Sequence, residues 1–246
     1  MKRFGIAAAT IAALTVAAEA QTLRIGVEGN HPPFNQVGAD GTVAGFDVDV
    51  GNAICARAQL TCEWVQVEWE ELIPSLLAGD IDIIMSTMAI TDARLELIDF
   101  AGPYYPPASS NYAARAGSTY DFAAMSGLRI GVQAGTIQAD YANANLAATN
   151  TILEYPSIDN PLADLAAGTL DLVLADRGYL AAQVAATAGV LVLAGPDVMI
   201  GNGVGAGFRK EDSELHATFD AIIAEMRTEG TLNALIMEWI PDPTTF

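Results

Sequence analysis

The sequence predicts an α/β fold of two lobes, each a mostly parallel sheet flanked by helices, joined by two crossover hinge strands. Two observations carry this prediction. First, residues 23–27 recur unchanged at 128–132, and residues 78–84 are echoed, in the same order, at 167–173. Second, short apolar runs alternate with stretches of helical periodicity through both halves. Such alternation is typical of parallel sheets covered by helices on both faces.

The elements of each half follow from these patterns. In the first half, apolar runs predict strands over 23–27, 62–67 and 81–85, and helical spacing predicts helices over 47–58 and 70–78. Gly79 favours the end of the second helix, and Pro74 is tolerated in its first turns. In the second half, strands are predicted over 128–132, 151–155, 171–175 and 190–193, with helices near 138–146, 160–167 and 178–187. Helices over 213–227 and 232–239 complete the chain.

Gly/Pro-rich breaks at 103–107 and 201–207 flank the second lobe. Because the last two helices follow the second break, we expect them to return to the first lobe. The predicted organisation is a leader over 1–20, a first lobe over 21–107 and 205–246, and an inserted second lobe over 108–204. Residues 201–206 also match the dinucleotide pattern G-x-G-x-x-G/A, but no helix follows at once, so a flexible crossover is favoured. Two crossings would form a hinge beside a cleft.

The composition excludes several classes of function. The chain has 30 acidic and 11 basic side chains, a net charge of −19 and 52% hydrophobic residues. The apolar fraction excludes a disordered chain, and the acid excess argues against binding to nucleic acid or anionic membranes. The sequence shows no metal-ligand spacing, no phosphate-binding loop and no nucleophile–base pair. We therefore expect no metal, no cofactor and no enzymatic activity.

The first twenty residues have the layout of a secretory signal peptide. Lys2 and Arg3 precede an apolar run over 6–18, and Ala18-Glu19-Ala20 is an A-x-A cleavage site. The run is too short to span a bilayer, which needs about 20 apolar residues. We expect a mature protein outside the cytoplasm that is not inserted in a membrane. In that oxidising compartment, Cys55 and Cys62, seven positions apart, are expected to form a structural disulfide.

Polar side chains follow several of the predicted strands, and ligands of open α/β sheets bind at those carboxyl ends. They are Glu28, Ser86 with Thr87 and Arg94, Gln133 with the helix opening at 135–138, and Asp176. A guanidinium and a helix N-terminus bind a carboxylate, whereas the acids bind cations. The rings of His31 and Trp69 could enclose an elongated side chain. An α-amino acid with a cationic side chain would use all of these groups.

Each residue also has a structural interpretation without ligand. Arg94 could pair with Asp92 or Glu96 on the surface, and Asp176 could cap the helix that follows it. Trp69 could belong to the core, and His31, before two prolines, could be a turn residue. These interpretations are weaker for the whole set, because every member falls at the carboxyl end of a strand.

At these residues the chain resembles the periplasmic amino-acid-binding proteins of ABC importers, the family-3 solute-binding proteins. The likeness is strongest to the histidine, lysine/arginine/ornithine, arginine and opine binders, and it extends over residues 23–239. It rests on the segments GFDVD at 45–49, LIPSL at 72–76, DIIMS at 82–86, ITDAR at 90–94 and GFRKED at 207–212. The pair Cys55–Cys62 matches a disulfide of the basic-amino-acid branch.

The resemblance implies a role for each candidate residue. Arg94, assisted by the backbone N–H groups of Ala89 and Ile137, would bind the α-carboxylate. Thr87 and Asp176 would hold the α-ammonium, and Glu28 would face the side-chain cation. The remaining positions would enclose the side chain: His31 and Trp69 on its two faces, and Ser86, Gln133 and Gln138 at its end. 

Some positions depart from the family pattern. His31 stands where tyrosine is common, Ala89 replaces a frequent serine, Ile137 a frequent threonine, and Gln133 a commonly apolar residue. A protonated His31 would repel a cationic ligand at low pH. The resemblance implies a periplasmic protein that delivers an amino acid, with arginine favoured, to a membrane ABC permease by transient docking. A monomer would suit the hinge mechanism. An opine, another polar amino acid, a receptor-linked sensor and an enzyme similar to cyclohexadienyl dehydratase remain alternatives.

Overall fold

The structure, a computed structural model, describes residues 22–241 and 243–246, so the predicted leader over 1–20 lies outside the described residues. The strands are β1 Thr22–Val27, β2 Asn30–His31, β3 Asn35–Val37, β4 Val43–Ala44, β5 Thr61–Gln66, β6 Ile83–Ile84, β7 Asp99–Tyr105, β8 Ser109–Arg115, β9 Arg129–Gln133, β10 Thr151–Tyr155, β11 Leu172–Asp176, β12 Leu191–Met199 and β13 Val204–Phe208. The helices are α1 Phe46–Ala58, α2 Leu72–Ala78, α3 Asp92–Leu95, α4 Ile137–Asn145, α5 Asp159–Ala167, α6 Arg177–Ala186, α7 Ser213–Thr228 and α8 Thr231–Trp239. A single 3-10 turn, Trp69–Glu71, precedes α2.

Two five-stranded sheets form the two lobes. The first has the order β5-β1-β6-β13-β7 and the second the order β10-β9-β11-β8-β12. In each sheet the first three strands are parallel, and one strand, β13 or β8, runs against the others. The predicted pair of mostly parallel sheets flanked by helices is therefore confirmed.

The sequence echoes correspond to one structural device used twice. In the first lobe Arg24 donates from its backbone N, Nε and Nη2 to Asp82, and from Nη2 to the carbonyl of Gly79. In the second lobe Arg129 makes the same set of bonds to Asp171 and to the carbonyl of Gly168. These bonds tie β1 to the turn that ends α2 in the first lobe, and β9 to the turn that ends α5 in the second.

The chain passes between the sheets twice, from β7 to β8 and from β12 to β13. Helices α7 and α8 follow the second passage and pack on β7 and α1 of the first lobe. The disulfide between Cys55 and Cys62 is present and joins the last turn of α1 to β5. Within the described residues, no helix is long and apolar enough to cross a bilayer.

Two of the sequence-based assignments need correction. Residues 204–207, expected to belong to a flexible break over 201–207, lie in the buried strand β13, which pairs with β7. Its glycines reflect close packing, since a Cβ on Gly205 would lie 3.0 Å from the carbonyl oxygen of Ala101. The strand expected over 81–85 pairs only at Ile83–Ile84. The small sheet β2-β3-β4, which carries His31, was not predicted.

Candidate functional site

All the candidate ligand-binding residues line one cleft between the two lobes. The space within it is about 820 Å³, a volume that includes space open to solvent. The candidate residues in its wall are Glu28, His31, Trp69, Ser86, Thr87, Ala89, Arg94, Gln133, Ile137, Gln138 and Asp176. That these side chains contact a ligand stays a prediction.

One end of the cleft is cationic. Thr91 accepts a hydrogen bond from the N–H of Arg94 and so begins the short helix α3 that carries the arginine. The guanidinium donates to the carbonyl oxygens of Ala89 at 2.7 Å and of Gly135, in the other lobe, at 3.0 Å. It also lies over the ring of Trp69, 5.4 Å from the centroid. Desolvation lowers the pKa of Arg94 to about 10.

The charge of Arg94 has no carboxylate partner. Among the described residues, none of the ion pairs within 4.0 Å includes this arginine, so the alternative interpretation, a surface pairing with Asp92 or Glu96, is not what the structure has. Helix α4 begins nearby at Ile137, after the capping residue Thr136, whose hydroxyl accepts from the N–H of Ala139. First-turn N–H groups lack acceptors within their own helix. This end of the cleft is therefore suited to an anion.

The opposite wall carries acids. Asp176 ends β11 and stands at the N-cap of α6, but its side chain makes no capping hydrogen bond there. Its carboxylate is free to face the cleft and lies 3.3 Å from the Nε2 of His31. Thr87 has a left-handed backbone, with φ 52°, and its hydroxyl donates to Asp47 at 2.7 Å. The hydroxyl proton is thus committed, and the oxygen of Thr87 also accepts a hydrogen bond from the amide of Asn35 at 3.3 Å.

The far end of the cleft is built around Glu28. Its backbone N–H donates to the hydroxyl of Ser86 at 2.9 Å, and its carboxylate accepts a hydrogen bond from Gln133 of the other lobe. Burial raises the pKa of Glu28, although the neighbouring His31 and Gln133 act in the opposite direction. Gln138 donates to Ser110 at 3.0 Å. A buried carboxylate and two amides can recognise a polar or cationic group.

The two predicted ring positions differ in their surroundings. His31 is buried and stacks on Tyr179 of α6, with centroids 4.4 Å apart and planes 13° apart. One face of the imidazole is therefore covered by the second lobe. Trp69 begins the 3-10 turn, is half-buried, and approaches Gly135 across the cleft. The expected sandwich of a ligand between the two rings stays a prediction.

A buried carboxylate beneath the site was missed by the sequence analysis. Asp47, fully buried in the first turn of α1, accepts hydrogen bonds from Thr87, Tyr104 and Asn35, each at 2.7 Å. We call these four residues the Asp47 network. Burial raises the pKa of Asp47, and the three donors oppose that rise. The network fixes the orientation of the Thr87 hydroxyl.

The passages between the lobes also contribute to the wall, and sequence reasoning did not place them there. Pro106, Ala108, Ile200 and Gly201 line the cleft. Their position follows from the topology, because both passages leave the sheets at the edge where the strands end. The Gly/Pro-rich composition at 103–107 and 201–207 was the only signal for them.

The comparisons with known proteins agree with this geometry. Residues 23–242 match the model of the bacterial extracellular solute-binding proteins, family 3. The chain is 36% identical to the lysine/arginine/ornithine-binding periplasmic protein of Escherichia coli strain K12, over 93% of this chain and 91% of that protein. It is 37% identical to the L-arginine-binding protein of Pseudomonas aeruginosa, over 92% and 90% of the two chains.

A solved structure is similar throughout. It is a periplasmic His/Glu/Gln/Arg/opine family-binding protein from Silicibacter pomeroyi in complex with lysine, with 42% identity and a TM-score of 0.83. The match covers 91% of this chain and 100% of that one. The two lobes, the cleft between them and the match over residues 23–242 lead to one conclusion: this chain belongs to family 3 of the bacterial extracellular solute-binding proteins.

Proposed function

We propose that this protein captures an L-amino acid with a cationic side chain, arginine being favoured, in the cleft between its lobes and delivers it to an ABC permease. The protein acts outside the cytoplasm, as a monomer, after removal of the signal peptide over 1–20. It binds and releases its ligand without chemical change. The lysine- and arginine-binding relatives support the ligand class.

The observation that carries the proposal is the half-buried guanidinium of Arg94. A desolvated cation without a carboxylate partner is costly, and a planar carboxylate is the group that its geometry matches. Its only hydrogen-bond acceptors among the described residues are the carbonyls of Ala89 and Gly135, which compensate its charge incompletely. A ligand α-carboxylate placed against Arg94 and the N-terminus of α4 would complete the compensation.

The acids on the other walls select the rest of the ligand. Asp176 and the oxygen of Thr87 would accept hydrogen bonds from the α-ammonium. Glu28, at the far end, would face the side-chain cation. The three charges of an L-arginine zwitterion then meet three opposite charges of the protein, and this matching favours arginine over neutral amino acids.

Capture would proceed by closure about a hinge. We propose that the passages over 106–108 and 200–203 bend, and that the first lobe comprises 21–107 and 205–246 and the second 108–204. Contacts between the lobes, such as the bond from Arg94 to Gly135, form only on closure. The ligand shifts the equilibrium toward the closed form by its greater affinity for that form.

The experiment is calorimetric titration of the refolded, ligand-stripped protein with arginine, ornithine, lysine, histidine, citrulline, octopine, nopaline, glutamate and glutamine. We expect binding of the cationic amino acids and a loss of about 2–5 kcal/mol in arginine binding for Arg94→Ala, because the carboxylate loses its charged partner. Arg57→Ala is the matched control: this arginine pairs with Glu229, away from the cleft, and its removal should leave binding unchanged.

The same panel tests the alternatives. Preferential binding of octopine or nopaline would make the protein an opine binder, and binding of glutamate or glutamine alone would remove Glu28 from the side-chain subsite. Unchanged arginine affinity in Arg94→Ala would contradict the proposed site. Turnover of prephenate or arogenate would show an enzyme of the cyclohexadienyl-dehydratase kind.

A further inference from the structure

His31 has the most unusual electrostatic surroundings in the cleft. Its side chain is buried, and its Nε2 lies 3.3 Å from a carboxylate oxygen of Asp176, without the alignment of a hydrogen bond. The ring is fixed by stacking on Tyr179 and by a tilted contact with Phe34 at 5.5 Å. A buried imidazole held beside an acid, at the wall of a ligand site, is placed to exchange a proton when the ligand arrives.

Acidic groups face His31 from every element packed against it. Glu28 follows β1, Asp47 lies in α1, and Asp176 and Tyr179 belong to the start of α6. The hydroxyl of Tyr179 donates to Asp159 of α5 at 3.2 Å, and burial and the neighbouring acids keep that tyrosine neutral by raising its pKa. Arg94, which also lines the cleft, interacts electrostatically with Asp176 but is not among the groups that shift the pKa of His31. Negative charge therefore dominates around the imidazole.

Burial and the neighbouring acids act on the imidazole in opposite directions. Burial alone would lower the pKa of His31, but Asp176, Glu28 and Asp47 outweigh burial, and the pKa is raised above its ordinary value of 6.5. A protonated His31 supplies, from within the protein, a positive charge next to both acids that the proposed ligand needs. A ligand cation placed against Glu28 would compete with that charge.

We propose that His31 is a specificity-determining residue whose proton is exchanged for the side-chain cation of the ligand. With the neutral imidazole, Glu28 and Asp176 require two ligand cations, and the cleft selects cationic side chains. With the imidazolium, one of those charges is already balanced, and the cleft accepts neutral side chains of the same length. The inference rests on the proposed function and adds a pH-dependent choice of ligand.

The test compares arginine with citrulline, its neutral isostere, by calorimetric titration at pH values from about 5 to about 8, across the usual range of histidine. In the wild type, we expect the ratio of the two affinities to rise with pH, by up to about tenfold per pH unit while one proton is released. Titrations in buffers of differing ionisation enthalpy measure how many protons are released on binding. We expect arginine binding to release this proton and citrulline binding to release a smaller fraction of it.

Two variants distinguish the titration of His31 from that of Glu28. The titration of Glu28 would also make the ratio of arginine to citrulline affinity rise with pH. In His31→Phe, which keeps the stacking ring, we expect a high arginine-to-citrulline ratio that no longer changes between about pH 6 and about pH 8, where only histidine titrates ordinarily. A ratio that still rises over that range would assign the effect to Glu28 and overturn the inference. In Glu28→Gln the preference for arginine should be lost at every pH.

A measurement on the wild type keeps the test independent of the variant's folding. The chain has two histidines, and His216→Gln identifies the NMR resonance of the other, His31. Arginine should lower the pKa of His31 by more than citrulline does; equal changes with both ligands would overturn the inference. If arginine and citrulline both bind to the wild type and the ratio of their affinities does not change with pH, only this inference fails. If neither binds, the proposed function fails with it.

Discussion

The contact of Gly178 with the first lobe gives a direct test of hinge closure. Gly178 lies in the first turn of α6, in the second lobe. A Cβ built on it would lie 3.1 Å from Cζ of Phe34 and 3.2 Å from Cγ2 of Ile240, both of the first lobe. Its backbone φ is not in the left-handed region, so a larger residue adds no backbone strain. We predict that Gly178→Leu holds the lobes apart.

The expected loss of arginine affinity in Gly178→Leu can be estimated from the packing at this contact. Forcing a leucine into a closely packed contact costs about 1–3 kcal/mol, and this cost applies only to the closed form. Because the proposed mode of capture requires closure, arginine affinity should fall by about 5–150-fold. The ligand-free protein should not lose stability, since leucine in place of glycine favours a helix by about 1 kcal/mol.

The assay combines three measurements on one variant. Calorimetry gives the affinity, small-angle X-ray scattering with saturating arginine gives the dimensions, and thermal unfolding without ligand gives the stability. Gly178→Ala is the matched control, because its single methyl group meets the first lobe at tight but tolerable distances. Wild-type affinity in Gly178→Leu would refute the idea that this contact closes on binding, and a lowered melting temperature would show that the variant damages the fold instead.

Three further predictions concern stability. Asp47→Ala should destabilise the protein by about 3–5 kcal/mol because it strands the buried donors of the Asp47 network, whereas Asp47→Asn, which keeps an acceptor, should cost less in chemical denaturation. Replacing Cys55 and Cys62 by serine should cost roughly 2–3 kcal/mol by the loop-entropy argument; an unchanged melting temperature would contradict it. His31 has a raised pKa, so its stabilisation is present below pH 6.5 and is lost as the pH rises through its folded pKa. Asp82, whose pKa is lowered by Arg24 against the effect of burial, stabilises above pH 3.8 and less as the pH falls. Melting of the ligand-free protein should therefore be highest at mildly acidic pH.

The parts of the fold that repeat could be predicted from the sequence. Each lobe has an apolar strand, β1 or β9, with an arginine near its start and an aspartate after a Gly-terminated helix, and these residues recur as a spaced pattern. The glycine inside each strand recurs for a physical reason as well. A Cβ on Gly26 would collide with Ile81, and one on Gly131 with Leu170, because a side chain packs over the strand at the same point in both lobes.

The parts that the sequence did not predict carry no periodic signal. Strands β2, β3 and β4 have two or three residues each, too few to show an alternation. Strand β13 is rich in glycine, which is typical of a loop, but a Cβ on Gly207 would lie 3.1 Å from Ile98. Such glycines become interpretable as strand residues only when the neighbouring strand is known.

In the candidate site, too, some residues could be predicted from the sequence and others could not. Glu28, Thr87, Gln133 and Asp176 could be named because each stands where a buried strand ends, a position that a single sequence reveals. Asp47 could not be, because it lies two positions from Asp49 in one helix and nothing local distinguishes them. Asp49 accepts from the indole of Trp239, whereas Asp47 lies beneath the cleft. Only the packing of α1 under Thr87 separates the two roles.

The contacts across the cleft fall into two kinds, and their difference explains how a ligand can control closure. Asn30 bonds to Ser157 at 2.6 Å and Gln133 bonds to Glu28, so these polar groups are satisfied by the protein itself. Arg94 reaches across to Gly135, yet within residues 22–241 and 243–246 its charge has no carboxylate within ion-pair distance. Closure alone therefore desolvates a cation that the protein cannot fully compensate. In the proposed mechanism, a ligand carboxylate would remove that cost in the closed form only, and such a differential interaction would shift the equilibrium.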